Sequence, residues 1–167
     1  TGVYMTSASI RIQNEVSLYG DGDSTVFKNA ANSNCATIMI RATYPVNRIF
    51  NAGIWNFKID GNSGANTYTL ATHAAIYLRA DVENPTTNGS AEDYGEIKDI
   101  TISNISIYNH RHGMYCGKTT FVQRMQVFDK IRIDNCISSG IYLDDYCEYI
   151  TFDNCYITRS YDGVYDN

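Results

Sequence analysis

Asp99-Ile100-Thr101-Ile102-Ser103-Asn104-Ile105-Ser106-Ile107 is the stretch that decides the fold. Apolar and polar residues alternate through it, the two-residue period of a strand with one buried face. Asn104 interrupts the alternation. Asparagine takes a left-handed backbone conformation cheaply, so it bends a strand where a branched residue would not. The unit ending in Asn104 recurs as Asn56-Phe57-Lys58-Ile59-Asp60-Gly61, Lys130-Ile131-Arg132-Ile133-Asp134-Asn135 and Tyr149-Ile150-Thr151-Phe152-Asp153-Asn154. A short apolar stretch follows each asparagine: Ile105-Ser106-Ile107, Cys136-Ile137 and Cys155-Tyr156-Ile157. A further repeated element ends in tyrosine: Ala75-Ile76-Tyr77-Leu78, Gly113-Met114-Tyr115-Cys116, Gly140-Ile141-Tyr142-Leu143 and Gly163-Val164-Tyr165-Asp166. Constant strands with uneven spacing between them are what a solenoid gives when insertions are confined to its loops.

Composition agrees with an all-β chain. The 167 residues leave room for one domain. There are 19 Ile and 8 Val against 4 Leu, with 14 Tyr, 16 Asn and 12 Gly, a vocabulary of strands and turns. The net charge of −5 argues against nucleic acid as a partner, because phosphate neutralisation needs a basic face. No apolar run is long enough for a membrane helix, so no membrane insertion is expected. The five cysteines show no zinc spacing and read as free thiols in the core.

The Ile-x-Ile-x-Asn units and an expected Asn104/Asn135/Asn154 ladder resemble the right-handed parallel β-helix of the pectate lyase superfamily. The opening Gly2-Val3-Tyr4-Met5, Ile10-Arg11-Ile12 and Val16-Ser17-Leu18-Tyr19-Gly20-Asp21-Gly22 carries the same resemblance. With its many tyrosines and irregular insertions, the chain is most similar to a phage tailspike. The resemblance implies a single-stranded right-handed parallel β-helix over residues 1–167, with a long loop insertion at 80–96. It implies a solenoid incomplete at both ends and part of a longer chain, since the family's capping helix would precede the first strand. It also implies a homotrimer, a place on the virion or outside the cell, and a host surface polysaccharide as partner. A secreted pectin-type lyase or hydrolase, and a non-enzymatic structural β-helix, are the alternatives.

Alternation assigns candidate residues to the surface. Lys58, Thr101, Arg132 and Thr151 are expected in one outward column, and Asp60, Ser103, Asp134 and Asp153 in the next. Tyr77, Tyr115, Tyr142 and Tyr165 are expected in an exposed stripe that stacks on sugar rings. Asp144, Asp145 and Asp162 are expected near one end of that stripe. They are the catalytic candidates, because glycoside hydrolysis uses two carboxyl groups roughly 5–9.5 Å apart. His110, Arg111 and His112 border the stripe in a polar loop. With Arg132, they are the candidates for holding an acidic sugar. Whether the chain is an enzyme is left open between glycoside hydrolase and polysaccharide lyase. No cofactor is called for by hydrolysis, whereas a lyase would draw on Ca²⁺ to acidify the proton beside a uronate carboxylate.

Overall fold

A computed structural model describes residues 2–42, 48–70, 72–80, 96–116, 126–144 and 150–166. The strands are β1 (Gly2–Thr6), β2 (Ile10–Ile12), β3 (Ser17–Tyr19), β4 (Thr25–Asn29), β5 (Ile38–Ala42), β6 (Arg48–Asp60) and β7 (Ala74–Ala80). They continue as β8 (Glu96–Tyr108), β9 (His112–Cys116), β10 (Gln126–Asp134), β11 (Ser139–Leu143), β12 (Ile150–Asp153), β13 (Tyr156–Thr158) and β14 (Asp162–Asp166). Two single-turn 3-10 helices, Gly22–Ser24 and Ser63–Ala65, interrupt them. No helix among the described residues is long and apolar enough to cross a membrane.

The all-β expectation holds, but the expected single right-handed solenoid does not. The strands form two parallel sheets. One is eight-stranded, in the order β1-β4-β6-β8-β10-β12, with β3 paired to β6 and β13 to β10. The other is six-stranded, in the order β14-β11-β9-β7-β5-β2. The physical reason lies in the asparagines. Asn51 and Asn56 in β6, and Asp99 and Asn104 in β8, take positive φ inside strands of 13 residues. The bend tilts the strand without ending it, so the segments on both sides stay in one ladder. Three short strands per repeat thereby become two sheets.

The same register corrects the asparagine ladder. Asn104 Nδ2 donates to Asn56 Oδ1 at 2.8 Å, and the two residues are 48 apart in sequence. Asn135 Nδ2 donates to Asn109 Oδ1 at 2.7 Å, 26 residues away. Asn154 Nδ2 turns instead to Asp129 Oδ1 at 3.1 Å. Asn104 and Asn135 therefore belong to two separate bends.

Parallel sheets bury their inner faces against each other. Isoleucines stack in register from strand to strand: Ile54 on Ile102, Ile59 on Ile107 and then Ile133, and Ile38 on Ile76. All of these are fully buried or nearly so. Phe27 meets Phe57 edge-on at 5.0 Å between ring centres, and Phe128 meets Phe152 at 5.2 Å. Each such side chain removed from water contributes about 1.5–3 kcal/mol, which makes this apolar stack the main source of stability. The cysteines Cys35, Cys136 and Cys155 are free thiols, Cys116 is buried in the core, and burial pushes the Cys136 thiol up to about 12.

Candidate functional site

Strand pairing arranges the outer face of the eight-stranded sheet. Lys58 lies opposite Ser106, Ser106 opposite Arg132, and Arg132 opposite Tyr156. Two residues further along the strands, Asp60 lies opposite Tyr108, Tyr108 opposite Asp134, and Asp134 opposite Thr158. Adjacent strands are about 4.8 Å apart, so each row offers a polar or aromatic group at every step. Thr101, Ser103, Thr151 and Asp153 were expected in these rows. They lie in other rows, opposite Val127, Asp129, Val127 and Asp129 respectively. The observed register differs from the expected one by five residues, because Ile-x-Ile pairs stand on both sides of Asn104.

A cleft of about 200 Å³ opens on this face, lined by Asp23, Lys58, Ser106, Tyr108, Arg132 and Asp134. Most of its charges are already matched. Lys58 pairs with Asp23 at 3.1 Å. Asp134 accepts from Arg159 Nε and from Thr158 Oγ1, both at 2.8 Å, and also from the other end of the Arg159 guanidinium. The Arg159 hydrogen bonds, then that from Thr158, hold the Asp134 carboxyl down at about 2. It is a permanent anion and acceptor, not a proton donor. Asp60, beneath the rim, pairs with Lys28 at 3.0 Å and accepts from the Asn62 backbone N–H at 2.8 Å. Burial raises the Tyr108 hydroxyl above its usual value, with the Asp60 charge adding to it, so Tyr108 offers a neutral O–H. Arg132 is exposed and makes no ion pair within the described residues. Arg132 is the lining charge without an ion pair of its own, and its field adds to the lowering of Asp134.

The tyrosine column exists, but it is covered. Tyr77 lies opposite Tyr115, and Tyr115 opposite Tyr142. Their rings stack at 5.2 and 4.9 Å between centres. Tyr77 is only 2% exposed and Tyr115 only 6%, and both pack with Ala36 and Ala74 in a second apolar cluster. This corrects the expected open stripe: the column points away from the main core and is still buried. Tyr165 continues the register opposite Tyr142. The hydroxyl edge is tied down as well. Tyr77 accepts from Arg79 Nη1 at 3.2 Å, and Tyr115 donates to Asp144 Oδ2 at 2.8 Å. Burial, then that hydrogen bond, raises the Tyr115 hydroxyl well above its ordinary value.

The catalytic candidates do not converge. Asp144 follows the end of β11 and is 7% exposed. Asp162 opens β14 opposite Ser139, at the other end of β11. Five residues of strand separate the two levels, roughly 16 Å at strand rise, which exceeds any two-carboxyl glycosidase spacing. Asp145 lies outside the described residues, as do residues 81–95 of the expected loop insertion.

The histidine loop is interior, another correction. His110 is fully buried and stacks on Tyr68 at 4.4 Å. His110 Nε2 lies 3.4 Å from Asn29 Nδ2 and 3.3 Å from Thr37 Oγ1, and Nδ1 lies 3.1 Å from both the His73 carbonyl oxygen and the Arg111 backbone N–H. Burial lowers His110 to about 3, so it stays neutral. Arg111 is spent on the Tyr68 carbonyl, 2.9 Å from Nη1, and on His112 Nε2, 3.3 Å from Nε. Burial, then the Arg111 charge, lowers His112 to about 4, and its Nδ1 is buried without a partner. The two histidines are not presented to solvent, and the partly exposed Arg111 is engaged with Tyr68 and His112. Among the described residues, no group of three or more His, Cys, Asp or Glu side chains stands together as a metal site.

No family model and no curated protein matches this chain. Among solved structures, the chain is similar to one from Parabacteroides merdae described as "a putative glycosyl hydrolase". That likeness spans 94% of this chain and 78% of the other, at 15% identity and a TM-score of 0.47. A likeness at that level assigns neither a reaction nor a substrate.

Proposed function

We propose that this chain is a polysaccharide-binding protein, and that the glycan lies across the strands on the outer face of the eight-stranded sheet. The observation that carries this reading is the cleft around Arg132, where an exposed guanidinium stands beside Lys58, Ser106 and Tyr108. Rows of donors and acceptors repeated about every 4.8 Å suit a linear chain of sugar rings better than a single small molecule. The exposed Arg132 guanidinium suits a glycan with acidic groups, because guanidinium binds carboxylate through charge-assisted hydrogen bonds.

The cleft supports binding, and the described members of the expected catalytic set do not form a cleavage site. Asp134 is held ionised by Arg159, and Asp144 and Asp162 stand too far apart to act as a pair. The test is to incubate the chain with acidic and neutral polysaccharides, following retention, reducing ends and unsaturated uronate together. Retention of an acidic glycan without new reducing ends supports the reading. Cleavage overturns its binding-only part, and no retention of any glycan overturns the whole.

A further inference from the structure

We propose that Trp55 is the floor of a second sugar-binding subsite on the same face, next to the cleft, an inference that rests on the polysaccharide reading above. Ile54 is fully buried in the core, so Trp55, its neighbour on β6, points to the outer face of the sheet. It is half-buried there. A side chain on Gly53 would overlap Cζ2 and Cη2 of the indole and press on the Thr101 carbonyl oxygen. The indole therefore lies back over Gly53, in space that only glycine leaves open. The indole is braced by the sheet there and keeps part of its surface open to solvent.

The surroundings choose the ligand. Tyr19 lies opposite Trp55 on one side and is 71% exposed. On the other side the row continues through Ser103, Asp129 and Asp153. Asp129 accepts from Asn154 at 3.1 Å and from Ser103 at 3.4 Å, and it pairs with Lys130 at 3.4 Å. An aromatic floor beside carboxylates and a hydroxyl matches a pyranose ring, which has an apolar C–H face and a rim of hydroxyl donors. A protein partner would be expected to meet a wider apolar patch than two aromatic rings on a polar sheet. Three residues along β6 from Trp55 stands Lys58 of the cleft, so one glycan can cross both subsites.

Trp55 is the only tryptophan in the chain, so its fluorescence reports this subsite alone. The full chain is titrated with polygalacturonate, alginate and dextran, by fluorescence and by calorimetry in parallel. The expected result is a saturable emission change with the calorimetric affinity for at least one glycan. Trp55→Ala should weaken binding roughly tenfold, and Gly53→Ala should match it by displacing the indole. Trp55→Phe should keep most of the affinity, and it separates loss of the floor from loss of the fold. Binding with silent fluorescence and an unchanged Trp55→Ala affinity would overturn the subsite and leave the Arg132 cleft standing. No binding of any of the three glycans would overturn both.

Discussion

The two outer faces of the molecule start from the same pattern and end differently. Both carry side chains that alternate outward from a parallel sheet. On the eight-stranded sheet these are Lys58, Ser106, Arg132 and Tyr156, and they remain open around a cleft. On the six-stranded sheet they are Tyr77, Tyr115 and Tyr142, and the first two are buried. Pointing away from the core is therefore not the same as facing water. The tyrosine face has become a second core with hydroxyls tied to Arg79 and Asp144, and the charged face keeps an open cleft.

This contrast predicts unequal costs. Tyr115→Ala removes the middle ring of the stack and should cost about 3–5 kcal/mol in denaturant unfolding, as large aromatic deletions do. Tyr156→Ala, at a position 60% exposed, should stay within about 0.5 kcal/mol. Equal losses would erase the distinction between the faces.

Acid comes next in size. His110 and His112 are neutral when folded, and each binds a proton near pH 6.5 when unfolded. Unfolding therefore takes up protons. Stability present above pH 6.5 should fall as pH drops, toward about 4 for His112 and about 3 for His110. The slope approaches roughly 1.4 kcal/mol per pH unit for each histidine. Unfolding midpoints measured from pH 7 to 4 check this, and a flat profile would mean that these rings are not buried.

The charged face should answer through binding instead. Arg132→Ala should leave the unfolding midpoint nearly unchanged and weaken binding of an acidic glycan roughly tenfold. The smallest effect belongs to Asp134. Its carboxyl is held at about 2, so the stability it contributes is present above pH 4 and lost as pH falls through about 2. The Arg159 side of the pair is 72% exposed and screened by water, so Asp134→Asn should change stability only by about tenths of a kcal/mol at pH 7.

Much of this was legible in the sequence, at the level of period and residue type. Alternation around Ile102 identified the strands, and Ile59, Ile102 and Ile133 are in the core as the pattern requires. Register was not legible. Asn104 has an Ile-x-Ile pair on each side, so the pattern fits either of two bends and does not single out the row of Lys58, Ser106 and Arg132. Burial of the tyrosines was not legible either, because what covers an outward face is set by packing between distant segments. The three residues from His110 to His112 look like a polar loop, but their buried partners, Asn29, Tyr68 and His73, come from elsewhere in the chain. Trp55 gave no repeat signal because it occurs once. Its only local sign was the glycine two residues before it.

The most direct test of which face holds the ligand is a pair of calorimetric isotherms on one acidic glycan that the wild-type chain binds. One isotherm uses Arg132→Ala and the other Tyr142→Phe. The account predicts roughly tenfold weaker binding for Arg132→Ala and an unchanged affinity for Tyr142→Phe. The opposite pattern, with Arg132 dispensable and the Tyr142 hydroxyl required, would place the ligand on the tyrosine face and contradict the central claim.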